Sequence, residues 1–103
     1  MPRKVLFISN QNLNRSRTAE LLFKDRFNTR SAGLCNFHPV TARQIAWADR
    51  VVVMEESHKE ELSSRFPKKS LQDKVVSLDI PDIYRFNNPA LMVFLESKSG
   101  LLD

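Results

Sequence analysis

Apolar residues in this chain fall into short continuous runs separated by stretches with helical spacing. Val5-Leu6-Phe7-Ile8 is the first run and predicts a strand. Ala19, Leu22, Phe23 and Phe27 then recur at helical intervals, which predicts a helix starting at Ser16 or Arg17 with one apolar face. Thr29 to Ala32 reads as a brief second strand, closed by Gly33, where a positive φ costs little. Thr41-Ala42-Arg43-Gln44 has the form of a capping box, with Val40 and Ile45 placed as a staple, so a second helix is expected to end near Trp47-Ala48. Val51-Val52-Val53-Met54 has the β-branched continuity of a strand covered on both faces. Ser57-His58-Lys59-Glu60 offers another capping box, opening a third helix that Pro67 stops. Val75-Val76-Ser77-Leu78 predicts a fourth strand, and Asp79 to Asn88 a polar connection. Asn88-Pro89 opens a last helix with Leu91, Phe94 and Leu95 on one face and Gly100 past its end.

Strands alternating with helices predict an α/β fold: a four-stranded parallel sheet between helical layers, joined by right-handed crossovers. With 103 residues, the expectation is one domain over 1–103, large enough to bury a single core. Ligands of such sheets bind beyond the C-terminal strand ends. The segments after the first and fourth strands are therefore expected to meet at one edge.

The first of these segments carries the clearest chemistry. Ser9-Asn10-Gln11-Asn12-Leu13-Asn14-Arg15-Ser16 links a strand to a helix, and such a loop gathers backbone N–H groups that have no intrachain partners. Arg15 stands at its end, where a planar fork of donors can grip two oxygens of a tetrahedral anion. Inorganic phosphate, sulfate or a phosphoryl group is the expected ligand.

Composition narrows the class further. The net charge of +4 is spread along the chain, with one cluster at Arg65, Lys68 and Lys69, and suits an anionic small molecule or phosphoprotein at least as well as nucleic acid, which is not the expected partner. Cys35 is the single cysteine, which excludes an intrachain disulfide and fits a reducing compartment. The apolar run after Pro2-Arg3-Lys4 is too short for a signal peptide or a membrane span, so the expected location is the cytoplasm, without a membrane partner. Cys35 and His38 lack the neighbours that would complete a metal site.

Taken in order, the pieces resemble the low-molecular-weight protein tyrosine phosphatase family, and most of all its short branch of predicted phosphotyrosine phosphatases. The matching segments are Val5-Leu6-Phe7-Ile8, Asn12, Arg15-Ser16, Thr18-Ala19-Glu20, Ser31-Ala32-Gly33, Trp47-Ala48-Asp49, Val53-Met54-Glu55 and Leu78-Asp79-Ile80-Pro81-Asp82-Ile83-Tyr84. The resemblance implies hydrolysis of a phosphotyrosine-containing protein or small aryl phosphate, with no metal or cofactor. A thiolate attacks phosphorus, loop amides from Ser9 to Ser16 and the Arg15 guanidinium hold the equatorial oxygens, and an aspartic acid protonates the leaving phenol.

One position departs from that pattern. Ser9 stands where the family has its nucleophilic cysteine, and a hydroxyl titrates far too high for helix dipoles and cations to ionise it as they do a thiol. Phosphate binding is expected to survive and turnover to be lost. The alternative reading is a phosphate- or phosphopeptide-binding module of the same fold. Gln11 and Arg17 also depart from the small residue and the proline common among relatives.

Several residues carry a plainer reading beside the sharper one. Asp82 is the candidate general acid with Asp79 as its rival, and Asp79 also reads as a turn residue. Tyr84 either lines the substrate entrance or packs on the last helix. Ser16 either donates a hydroxyl toward the nucleophile position or caps the helix, and Asn12 braces the loop through its side chain. His58 is expected on a helix surface and Trp47 in the core.

Overall fold

The computed structural model describes residues 2–103. Four strands form one parallel sheet: β1 (Lys4–Ser9), β2 (Asn28–Gly33), β3 (Arg50–Val53) and β4 (Val75–Ser77), in the spatial order β2-β1-β3-β4. Helices α1 (Arg15–Phe23), α2 (Ala42–Trp47), α3 (Glu56–Arg65), α4 (Lys69–Gln72) and α5 (Pro89–Ser97) cover it, and a 3₁₀ turn over Ser99–Leu102 closes the chain. β1 lies centrally, registered Val5 to Thr29 on one side and Val5 to Arg50 on the other.

The period of two along each strand divides the core into two layers. Val5 and Phe7 of β1 and Val52 of β3 face α1 and α5, where they meet Ala19, Phe23, Leu91 and Leu95. Leu6, Ile8, Val51 and Val53 face the other way, against Ile45 of α2, Leu62 of α3 and Leu71 of α4. Both sheet faces are thus covered, which is why these strands read as unbroken apolar runs. On the first side, the Phe7 and Phe23 rings stack with centroids 5.9 Å apart.

The Thr41 capping box forms: Thr41 N–H donates to Gln44 Oε1 at 2.8 Å and Gln44 N–H to Thr41 Oγ1 at 3.2 Å. Val40 and Ile45 are buried in the same cluster, as a staple requires. Asn88 caps α5, its Oδ1 accepting from Ala90 N at 2.8 Å, with Pro89 at the first helical position.

Other local expectations are corrected. The box at Ser57 does not form, because α3 begins at Glu56 with Glu55 as its cap and Ser57 already inside the first turn. α1 begins at Arg15, one residue before the expected range, after the chain turns through Asn12 at φ 56°. Gly33 has no positive φ; it is needed for space, since a Cβ there would lie 2.8 Å from Asn36 Cγ and 3.1 Å from the Gln11 carbonyl carbon. Gly100 sits within the 3₁₀ turn, which fully buries Leu102 against the α1/α5 side. The short α4 was not anticipated. It follows Pro67, which ends α3's run at Arg65 because the residue before a proline disfavours the helical region. Among the described residues no helix is long and apolar enough to cross a membrane.

Candidate active site

β1 ends at Ser9, and the chain must climb over the sheet edge to start α1 at Arg15. The loop is fastened from behind, where Asn10 O accepts from Leu34 N at 2.9 Å and from Cys35 N at 2.8 Å. Gly33 lets this neighbouring segment approach the loop backbone. Among the described residues, the backbone N–H groups of Asn10, Gln11, Leu13, Asn14, Arg15 and Ser16 donate to no protein acceptor. All of these residues but Ser16 line a cavity of about 160 Å³, together with Ser9 and Asp82. Unpaired donors at a helix N-terminus, with a cation among them, favour an oxyanion.

Behind the cavity lies a closed ring of three polar bonds. Asn12 N–H donates to Ser9 Oγ at 3.1 Å, Ser9 and Ser16 hydroxyl oxygens are 2.6 Å apart, and Ser16 Oγ donates to Asn12 Oδ1 at 2.6 Å. Ser16 has one proton and gives it to Asn12, so Ser9 is the donor in the pair. The hydroxyl of Ser16 is therefore directed at the nucleophile position as an acceptor. It makes no helix cap, and the N-cap residue Asn14 has no side-chain capping bond either. Asn12 and Ser16 brace the loop from behind the cavity wall; the other six residues expected in the binding loop line it.

Arg15 is 2 % exposed, and its charge is compensated with a definite geometry. Nη1 donates to Glu55 Oε2 at 2.7 Å and to the Ile80 carbonyl at 2.6 Å, while Nε lies 3.7 Å from Asp82 Oδ1. Engaging Nη1 on both sides fixes the guanidinium plane. It leaves Nη2 with no acceptor among the described residues and Nε without a hydrogen bond, the edge suited to a bidentate oxyanion.

Asp82 stands on the segment that follows β4, and that segment is held at two points. Ile80 N–H donates to Met54 O at 2.7 Å, and Asn87 N–H to Thr18 Oγ1 at 2.9 Å. Between them Asp82, with its carboxyl 63 % exposed, reaches the cavity mouth. Asp79 does not. It sits at φ 55° with its N–H and carboxylate both bonded to Ser77 Oγ, and it lines a separate hollow with Glu55 and Glu56. Tyr84 is likewise absent from the cavity. Its ring packs edge-on against Phe94 of α5 at 6.4 Å.

Two participants went unassigned in the sequence. Glu55 appeared only as part of a strand-end motif, yet it is the carboxylate that holds Arg15. Its place two residues past β3, the strand paired to β1, is the signal that points to it. His58 is buried, against the expectation of a helix surface, because starting α3 at Glu56 turns His58 and Leu62 together toward the core. Its Nε2 lies 3.4 Å from Glu55 Oε2 and its buried Nδ1 has no hydrogen-bond partner. Burial lowers the pKa of this imidazole below its ordinary value; Arg15 adds to the lowering, while Glu55 and Asp82 oppose it.

Comparison with known proteins defines the fold. No protein-family model matches the sequence, and a search of curated proteins finds no match. Solved structures do match. The tyrosine phosphatase amsI of Erwinia amylovora superposes with a TM-score of 0.80 at 21 % identity, covering 99 % of this chain and 91 % of that one. The tyrosine phosphatase Wzb from Escherichia coli K30, in complex with phosphate, gives 0.77 at 23 % identity, over 97 % and 95 %. A mutant of the arginine phosphatase YwlE with a phosphorylated active-site serine gives 0.70 at 24 % identity, over 96 % and 90 %. The four-stranded parallel sheet with flanking helices is the fold of these phosphatases.

Proposed function

We propose that the chain is a protein tyrosine phosphatase of the low-molecular-weight type in its binding design, with Ser9 in the nucleophile position and consequently little or no turnover. The carrying observation is the buried Arg15 guanidinium, clamped at Nη1 by Glu55 and the Ile80 carbonyl beside a cavity of unpaired loop amides. Glu55 meets the charge on one side only, and the Nε and Nη2 edge keeps donors that a second negative group satisfies. A phosphoryl dianion does so, with equatorial oxygens on the amides and on the free Arg15 edge. Asp82 at the mouth supplies the acid for a departing phenol oxygen in the reaction that a thiol at position 9 would start.

Among the fold neighbours Wzb holds phosphate, and the YwlE mutant carries its phosphoryl group on a serine. Both support a phosphoryl ligand for the equivalent cavity here. The exposed single thiol Cys35 suits the cytoplasm.

A second reading is recognition without chemistry, a module for phosphopeptides, and the buried Ser9 hydroxyl favours it. One pair of assays separates the two. A phosphotyrosine peptide binds the chain as given under both readings. Ser9→Cys then hydrolyses an aryl phosphate at mildly acidic pH if the site retains phosphatase design, and Asp82→Asn in that background slows it. A Ser9→Cys protein that binds the peptide but never cleaves an activated aryl ester leaves recognition alone. Tighter binding of a phosphoarginine peptide moves the substrate class away from tyrosine.

A further inference from the structure

We propose that Arg17, stacked on Phe86 beside the cavity mouth, is a carboxylate subsite that reads an acidic residue flanking the phosphorylated residue of a protein substrate. This rests on the phosphoryl-binding reading above and names the substrate class more closely.

The size of the cavity comes first. About 160 Å³ is below the range of pockets that enclose a whole small ligand, roughly 300 Å³ and more, so a substrate buries its phosphoryl end and lays the rest on the surrounding surface. The segment that carries Asp82 offers apolar contact there, with Ile83 75 % exposed and Phe86 42 % exposed. That segment is pinned to the first turn of α1 by the bond from Asn87 N–H to Thr18 Oγ1 at 2.9 Å, which puts Phe86 beside Arg17. Arg17 follows Arg15 by two residues, about 3 Å along the helix axis, so it stands next to the loop amides.

The Arg17 guanidinium lies over the Phe86 ring, with Cζ 5.8 Å from the ring centroid. Stacking restrains the guanidinium through its face and uses none of the N–H donors along its edges. Among the described residues no carboxylate or carbonyl accepts from them. The completed form of this arrangement exists elsewhere in the chain. Arg26 lies over Phe23, with Cζ 4.8 Å from the centroid, and its Nη2 donates to Glu96 Oε1 at 2.7 Å and Oε2 at 2.6 Å. Arg17 has the ring and lacks the carboxylate. Arg30 over Trp47 is unpaired too, but it sits within β2, registered with Leu6 and not with the Ser9 end that opens on the cavity.

Charge decides which flanking residue fits. Arg17 and the exposed Arg85, which precedes Phe86, have no ion-pair partner among the described residues. An Asp or Glu meets the free donors as Glu96 meets those of Arg26, and a Lys or Arg is repelled. Asp82 repels an acid at the other end of the same segment, so the preference is positional. Extended chain advances about 3.5 Å per residue, which brings an acid within about three positions of the phosphorylated residue into range.

The test titrates phosphotyrosine peptides into the full chain and follows fluorescence anisotropy. One peptide has alanine at all flanking positions, and each of the others carries a single Asp at one of them. Asp on one side of the phosphotyrosine is expected to tighten binding about three- to ten-fold over the alanine peptide, with a smaller gain as salt is added. In Arg17→Gln the two peptides are expected to bind alike, and in Arg17→Glu a Lys at that position becomes the favoured residue. The comparison is made within each variant, so a general change in phosphoryl affinity cancels. Inorganic phosphate titrated into the unaltered chain reports the underlying reading separately. Phosphate binding without an acidic preference, an equal gain from Asp on both sides, or a preference that persists in Arg17→Gln overturns the subsite and leaves the phosphoryl reading standing. Absence of both phosphate and peptide binding overturns the two together.

Discussion

The chain segments leaving β1 and β3 start from adjacent strands at the same sheet edge and use it in opposite ways. After β1, five residues intervene before α1, and they hold their amides open around a cavity whose cation is Arg15. After β3 the turn is tight: Met54 is buried, Glu55 caps α3, and its carboxylate makes no capping bond. That carboxylate turns to Arg15 instead, at 2.7 Å. On the proposed reading the first loop receives negative charge from outside, while the second supplies it from within. The guanidinium between them is large enough for both, Nη1 taking the internal carboxylate while Nε and Nη2 remain for a ligand. The comparison teaches that the internal anion acts as a positioner, not as a competitor that fills the site.

Removing the shared cation breaks both sides of this arrangement. Arg15→Ala is expected to weaken phosphate binding by roughly a hundred-fold, about 3 kcal/mol for two charge-assisted bonds, measured by titration calorimetry. Glu55→Ala breaks only the internal side. It is expected to lower folding stability by about 1–3 kcal/mol in a denaturant titration, less than a wholly buried pair because Glu55 is 40 % exposed. It also releases the Arg15 plane, so phosphate affinity falls with it. An affinity that rises in Glu55→Ala contradicts the positioning role.

Asp82→Asn sharpens the external side by removing the exposed carboxylate at the mouth. Phosphate affinity is expected to rise a few-fold, about 0.5–1 kcal/mol, and the gain to shrink as salt is added. His58→Gln has the smallest effect, and it shows in pH dependence. The folded imidazole has a lowered pKa, so below about 6.5 the unfolded chain takes up the proton that the folded chain refuses. Stability due to a neutral His58 is full above that pH and falls as pH drops through it, until the folded group itself protonates. Thermal unfolding of His58→Gln across this range is expected to decline less steeply than that of the unaltered chain.

How much of this the sequence disclosed depends on whether a feature is local. The Thr41 box, the Asn88-Pro89 start and the strand order of apolar runs are written in neighbouring residues, and they formed as read. The Ser57 box has the same local form and failed. There Glu55 takes the cap position of α3, with its carboxylate bonded to Arg15 across 40 positions of sequence, and the helix starts at Glu56. The burial of His58 followed from that shift. Asp82 was singled out through its motif, and the bond from Ile80 N–H to Met54 O, which anchors it at the mouth, joins segments that no spacing rule connects. For Tyr84 the motif allowed an entrance or a packing role, and its contact with Phe94 of α5 is visible only once the last helix is in place.

The proposed receptor for a tetrahedral dianion consists of the amides of Asn10, Gln11, Leu13, Asn14 and Arg15 with the Arg15 guanidinium. Titrating inorganic phosphate into isotopically labelled protein and following backbone amide resonances tests it most directly. The account predicts saturable shifts concentrated at Asn10, Gln11, Leu13, Asn14 and Arg15, lost in Arg15→Ala while the resonances of α2 and α4 stay fixed. Shifts absent at millimolar phosphate, or shifts that persist unchanged in Arg15→Ala, contradict it.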